Sequence, residues 1–347
     1  MSSAGPSHGR FDGTRFSRLT PREEHSKSSN AGTRCQRLNL CQDVSSASET
    51  LRPHLSQVRN QIRETKRRGV MAFAISPRGF EGSLWLEASS CPRFAVVGRH
   101  SNCDLFLVND DELALRHAAI VVQVVRGALC VRILDLASTR GMKDESERDI
   151  RCARGPVPIA VRLSNQWLYL FETGPNAADA TIDSIAHSQG VLASAWRSIE
   201  TALTERRAAR RRLPRVSKRR GTSGTLVLRS FNREIEVPMD GDALVSGVLL
   251  GRYERCLGGA LWEGDRFVSR VHALVISMEG EVFIVDLCST NGLGNQHVLS
   301  RWLALHPGLT VRLTNDTTVS WAPHDLGERS EAAIPQEAEQ RNHGSTL

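Results

Sequence analysis

The sequence predicts an all-β chain: two sandwich domains in tandem, joined by a helical, basic linker, with disordered N- and C-terminal tails. Three observations predict it. A seven-residue phrase occurs twice, as DLASTRG over Asp135–Gly141 and as DLCSTNG over Asp286–Gly292. Three further blocks recur in the same order at a near-constant offset of about 150 residues, which marks a duplicated unit of domain size. They are VVGRH from Val96 against LLGRY from Leu249, LALRHAAIV from Leu113 against FVSRVHALV from Phe267, and VRLSNQ from Val161 against VRLTND from Val311. Around all of them run short apolar segments punctuated by Gly, Asn, Asp and Pro, the mark of strands joined by turns.

Five segments follow in order. Residues 1–69 are rich in Ser, Arg, Gly and Gln, so a disordered basic arm is expected. Residues 70–174 carry strand patterns such as LCVRILDL from Leu129 and QWLYLF from Gln166, and make the first sandwich. Over residues 175–221 the period changes. Ile182, Ile185, Leu192, Trp196, Ile199 and Leu203 make one stripe on a helix, which runs into an Arg-rich stretch broken at Pro214. The second sandwich spans 222–324, with TLVLRS, HALVIS, EVFIVDL and LTVRL as its clearest strands, and 325–347 reads as a disordered tail.

Composition narrows the function. A hydrophobic content of 40% with 5% aromatics suits a soluble protein, no apolar run approaches the roughly 20 residues of a membrane span, and the first residues lack a secretory core. The eight cysteines form no C-x-x-C pair, which points to reduced thiols and a cytoplasmic location. No phosphate-binding P-loop, zincin helix, nucleophile elbow or kinase motif set is present, so no catalytic residue, metal ligand or cofactor is expected.

The second unit carries Gly251-Arg252, then Ser269-Arg270-Val271-His272, then Asp286-Leu287-Cys288-Ser289-Thr290-Asn291-Gly292. This ordered set resembles the forkhead-associated (FHA) domain, a β-sandwich that binds phosphothreonine peptides. The chemistry agrees with the resemblance. A phosphate ester offers nearly two negative charges and three acceptors, and calls for a fixed cationic fork with short donors. Arg252 supplies the fork, turned to the sandwich tip by the glycine before it; Ser269 supplies a hydroxyl; Arg270 adds charge; Asn291 holds the peptide main chain. Gly251, His272, Asp286, Ser289 and Gly292 are framework, the histidine holding loops together instead of moving protons. Each motif has a plainer reading: Arg252 in a surface ion pair, Ser269 as a turn cap, and Asn291-Gly292 as a hairpin turn pair.

The first unit keeps Gly98, Arg99, His117, Asp135, Ser138 and Gly141, but has Ala114 where the second has Ser269 and Arg140 where it has Asn291. Two accounts stand open. It is a degenerate copy kept for packing or phosphate-independent contacts, or Arg99, Arg116 and Arg140 form an altered anion site.

The expected function is a non-enzymatic adaptor in Ser/Thr kinase signalling. Its partner is a Thr-phosphorylated protein, a Ser/Thr kinase or a kinase substrate, bound mainly by the second unit. The alternative is a structural or assembly protein whose sandwiches make phosphate-independent contacts. Nucleic-acid contact through Arg206, Arg207, Arg210–Arg212, Arg215, Lys218, Arg219 and Arg220 is disfavoured, because no aromatic interleaves them. Thr20 and Thr50 in the arm are candidate kinase sites whose phosphates Arg252 would capture within the chain; a plain solubilising tail is the other reading.

Overall fold

A computed structural model describes residues 46–175, 222–231, 233–295 and 298–324. The helical stripe from Ile182 to Leu203, the basic run behind it, Thr20 and the C-terminal tail lie outside these residues.

The first unit is built of β1 (Gly69–Ser76), β2 (Gly79–Glu87), β3 (Arg93–Gly98), β4 (Leu105–Phe106), β5 (Ala118–Val125), β6 (Ala128–Asp135), β7 (Met142–Lys143), β8 (Asp149–Ile150), β9 (Cys152–Gly155), β10 (Ile159–Leu163) and β11 (Gln166–Thr173). The second is built of β12 (Thr222–Ser230), β13 (Arg233–Asp240), β14 (Val248–Leu250), β15 (Ala273–Met278), β16 (Glu281–Asp286), β17 (Leu293–Asn295), β18 (Val298–Ser300), β19 (Trp302–Ala304), β20 (Thr310–Arg312) and β21 (Thr317–Pro323). Each unit is a sandwich of two sheets. One sheet runs β2-β1-β11-β10-β7-β8 in the first unit and β13-β12-β21-β20-β17-β18 in the second; the other runs β4-β3-β5-β6-β9 against β14-β15-β16-β19. The two orders are the same strand for strand. Only β4 lacks a counterpart, and there a single parallel bridge joins Leu250 to Leu257.

Strand β1 shows how the first unit is layered. Its residues alternate between faces, and both faces are covered. Val70, Ala72 and Ala74 enter the core between the sheets with Ile120, Val131, Val161 and Leu168. Met71, Phe73 and Ile75 point outward with Trp167, Tyr169 and Phe171 of β11, where Ala47, Leu51, Val58 and Ile62 bury them. Those four residues belong to helices α1 (Ala47–Leu51) and α2 (Leu55–Glu64).

This corrects the expectation that all of 1–69 is disordered. A capping box opens α1, with Glu49 N–H donating to Ser46 Oγ and the Glu49 carboxylate accepting from Ser46 N–H. Leu51, Leu55, Val58 and Ile62 then fall at helical spacing onto the aromatic face. Fully burying such a side chain contributes about 1.5–3 kcal/mol, which offsets the ordering entropy that composition alone left unmatched. Tyr169 Oη donates to the Ala47 carbonyl at 2.5 Å and fixes the helix start. Thr50 is therefore no accessible kinase site. It lies in α1 at 7% exposure, its hydroxyl donating to Ser46 O at 3.0 Å.

The two sandwiches pack on each other through the same sheet in each. Val96, Ala119, Val121, Leu134 and Leu136 of the first unit meet Leu274, Ile276, Phe283, Val285 and Leu287 of the second in one apolar cluster. Phe94 packs against Phe283 and Trp302, with ring centroids 6.2 and 6.0 Å apart. Polar contacts rim it: Arg132 Nη1 donates to Ser277 O at 3.0 Å, and Arg301 pairs with Asp104 at 2.7 Å.

Candidate functional site

The duplicated motifs gather at one end of each sandwich, on the connections that leave β3 and β14, enter β5 and β15, and follow β6 and β16. In the second unit, Arg252 N–H donates to Ser269 O at 3.2 Å and Tyr253 N–H to Arg270 O at 3.0 Å, which zips the arginine loop to the serine loop. The glycine before the arginine serves this close approach and not a sharp turn, as had been expected. A Cβ on Gly251 would lie 2.3 Å from the Arg270 carbonyl oxygen, and one on Gly98 would lie 2.4 Å from that of Leu115.

His272 ties the third loop to the second. Its Nδ1 accepts from Ser269 N–H at 3.1 Å, and its Nε2 lies 3.2 Å from Gly292 O. These partners assign the neutral tautomer with the proton on Nε2. A second proton would have to sit on Nδ1, facing an N–H donor. Burial accordingly holds His272 below the ordinary histidine value, and does the same for His117. In the turn itself Asp286 Oδ1 accepts from Ser289 N–H at 3.1 Å, Ser289 Oγ accepts from Gly292 N–H at 2.9 Å, and Gly292 takes a φ of 69° that favours glycine.

Three side chains project from this frame. Ser269 Oγ accepts from Thr290 N–H at 3.1 Å, and Asn291 Nδ2 donates to Phe267 O at 2.8 Å with Asn291 itself exposed. The half-buried Arg252 guanidinium makes no ion pair or hydrogen bond among the described residues, and its Nε is fully covered without a partner. Arg270 is exposed beside them; its carbonyl, not its side chain, carries its contacts. An unpaired guanidinium, a short hydroxyl and an amide thus stand together on loops fixed from behind. That set suits an anion attached to an extended peptide.

The first unit repeats the bonds of this frame and adds two, with Ser138 Oγ donating to Asp135 Oδ1 at 2.6 Å and lying 3.1 Å from His117 Nε2. His117 Nδ1 accepts from Ala114 N–H at 3.3 Å, its Nε2 lies 2.9 Å from Gly141 O, and Ser138 Oγ accepts from Gly141 N–H at 2.9 Å. Its projecting groups differ. Arg99 Nη1 lies 3.6 Å from the Asp111 carboxylate, and Arg140 pairs with Glu112. Arg116 leaves the cluster altogether and donates to the Cys288 carbonyl of the second unit. The three guanidiniums are therefore not gathered into one anion site.

Asp265 and Asp110 belong to the frame and escaped the sequence reading. Asp265 Oδ2 accepts from Thr317 Oγ1 at 2.8 Å while its Oδ1 accepts from Phe267 N–H at 2.9 Å. Asp110 accepts from Glu112 N–H at 3.0 Å and Asn165 N–H at 3.1 Å. The signal was present, since each aspartate stands seven residues before its unit's histidine. No cluster of three or more His, Cys, Asp or Glu fit for a metal occurs among the described residues, where the six described cysteines are free thiols. No helix among these residues is long and apolar enough to cross a membrane.

The FHA domain family model matches residues 248–314, the span that holds Arg252, Ser269 and Asn291. Among solved structures the chain is similar to the FHA domain of the CT664 protein from Chlamydia trachomatis, at 18% identity and a TM-score of 0.25, covering 30% of this chain and 95% of that one. It is similar to FHA-1 of Rv1747 from Mycobacterium tuberculosis at 18% identity and a TM-score of 0.23, covering 29% and 97%. The FHA domain of an Arabidopsis thaliana hypothetical protein gives 21% identity and a TM-score of 0.25, covering 31% and 93%. No curated protein matches the sequence.

Proposed function

We propose that this chain is a phosphothreonine-peptide-binding adaptor that carries out no chemistry of its own, and that its second sandwich reads the phosphate. The observation that carries the reading is the Arg252 guanidinium: it has no partner among the described residues, yet is set on a loop that the backbone bonds of Arg252 and Tyr253 tie to the serine loop. Arg252 takes the phosphate oxygens, Ser269 and Arg270 add donors, and Asn291 orients the peptide main chain. The partner is a protein phosphorylated on threonine by a Ser/Thr kinase, in the cytoplasm. The frame residues Gly251, His272, Asp286, Ser289 and Gly292 hold the loops and touch no ligand.

The apolar contact between the sandwiches favours a structural role for the first unit. Phosphate binding there is disfavoured because Arg99 and Arg140 already face carboxylates. The test is to titrate the full chain with matched phosphothreonine, phosphoserine and unmodified peptide libraries. Selective binding of the phosphothreonine set upholds the reading; equal retention of the unmodified set overturns it in favour of phosphate-independent contacts.

A further inference from the structure

The turn that carries Asn291 has a face toward the peptide site and a face toward the first sandwich. Cys288 is the hinge between them. It takes a φ of 56°, is 3% exposed, and its carbonyl accepts from the first unit. Among the described residues no backbone N–H reaches that carbonyl; the donor is Arg116 Nη2 of the first unit. Two more groups of the first unit reach the same spot. Cys103 places its thiol beside that of Cys288, and the Cys288 sulfur together with burial pushes the Cys103 thiol up, keeping it protonated. Asp104 pairs with Arg301, whose Nη2 also lies 3.9 Å from the Cys288 sulfur.

Duplication does not explain Arg116. The equivalent position in the second unit is Val271, an apolar residue packed at the edge of the contact between the sandwiches. An arginine has been placed where the frame needs none, and it ends on a carbonyl two residues before Thr290, whose N–H holds Ser269 Oγ, and three before Asn291.

We infer that Arg116 is a positioning residue for the second unit's peptide site: the first sandwich braces the Asp286–Gly292 turn from behind through the Arg116–Cys288 contact, so the binding element is the pair of sandwiches and not the second alone. This rests on the phosphopeptide reading given above. A buried carbonyl without a donor is costly, and the turn relieves that cost by moving toward solvent. Such a movement carries Thr290 N–H off Ser269 and shifts the Asn291 amide.

The experiment uses the full chain with Arg116→Met, which keeps the apolar stem and removes the donors, and Arg116→Lys, which restores one. Arg132→Met is the control, because it weakens the same contact between sandwiches away from the turn. The probe is a fluorescent degenerate phosphothreonine peptide library, and hydrogen–deuterium exchange over residues 286–292 is followed without peptide. Arg116→Met is expected to bind about tenfold more weakly and to exchange faster across the turn, with Arg116→Lys recovering most of both and Arg132→Met changing neither. Wild-type affinity and wild-type exchange in Arg116→Met overturn the bracing, as does an equal loss in Arg132→Met. If the wild-type chain ignores the phosphate, the reading of the site fails by itself. Faster turn exchange confined to Arg116→Met still upholds the brace then, and unchanged exchange overturns it.

Discussion

The turns Asp135–Gly141 and Asp286–Gly292 share their aspartate-to-serine and serine-to-glycine bonds, down to a residue at φ 55° in one and 56° in the other, yet they present different surfaces. In the second, Arg252, the proposed phosphate reader, has no counter-charge among the described residues. In the first, Asp111 and Glu112 face Arg99 and Arg140. The lesson is that frame and recognition are separable. The histidine, aspartate, serine and glycine that shape the loops are set by buried bonds inside each unit and cannot drift cheaply, whereas the projecting residues are limited only by what they bind.

The comparison breaks most sharply at the arginines. Arg252→Ala should lower affinity for phosphothreonine peptide by roughly a hundredfold or more, since two bonds to a charged group at about 1.5–3 kcal/mol each are lost. Arg99→Ala should leave that affinity unchanged, and both variants should melt like the wild type in a calorimetric scan. Loss of folding in Arg252→Ala, or retained binding, would move the site elsewhere.

Next in size is the hydroxyl. Ser269→Ala gives the second unit the residue the first already has at Ala114, and removes both the proposed phosphate donor and the acceptor for Thr290 N–H. Isothermal titration should show about tenfold weaker binding. Equal affinity would make Ser269 a turn cap and nothing more.

The two frames should respond to acid alike, because His117 and His272 make the same two ring contacts to backbone groups. Burial lowers both in the folded chain. The unfolded chain therefore binds more protons between those lowered values and the ordinary value of about 6.5, so stability rises with pH across that window and is lost as pH falls through it. Urea unfolding midpoints should drop below about pH 6.5, with a shallower drop in either His117→Gln or His272→Gln. A flat profile would mean that the rings are not neutral in the fold.

The smallest effect tests the acids of the first site. In an Arg252→Ala background, Asp111→Asn with Glu112→Gln should raise residual affinity for phosphothreonine peptide only a few fold, about what exposed ion pairs contribute. A larger gain would show a masked binding site in place of a degenerate one.

Much of this was legible in the sequence. The sheets were, because turn residues bound the strands, alternation marks some of them such as β13 and β21, and the duplicated blocks fix which strands correspond. Near-continuous apolar runs such as GVMAFAIS also announced strands buried on both faces. What covers a second face is not written locally. Leu51, Leu55, Val58 and Ile62 were visible at helical spacing behind a Ser46–Glu49 box, but the average polarity of the arm concealed them. The gathering of Arg252, Ser269 and Asn291 on neighbouring loops was legible from residue type and order, while the destination of Arg116 was not, since it is decided by a neighbour reached only through the packing of two separate cores.

That packing has a consequence for how the chain could change over time. Leu274, Ile276, Val285 and Leu287 stand in the second unit where Ala119, Val121, Leu134 and Leu136 stand in the first, and Arg255 Nη1 reaches Ala137 O at 3.1 Å much as Arg116 reaches Cys288 O. Each half thus offers the other the same patch, the arrangement by which identical subunits close into a symmetric dimer. Between separate identical chains every substitution appears on both sides at once, so a residue that improves one tip as a brace would spoil the other as a reader. Within a single polypeptide that constraint is gone. One half is then free to change the residues at its tip while the other keeps its own.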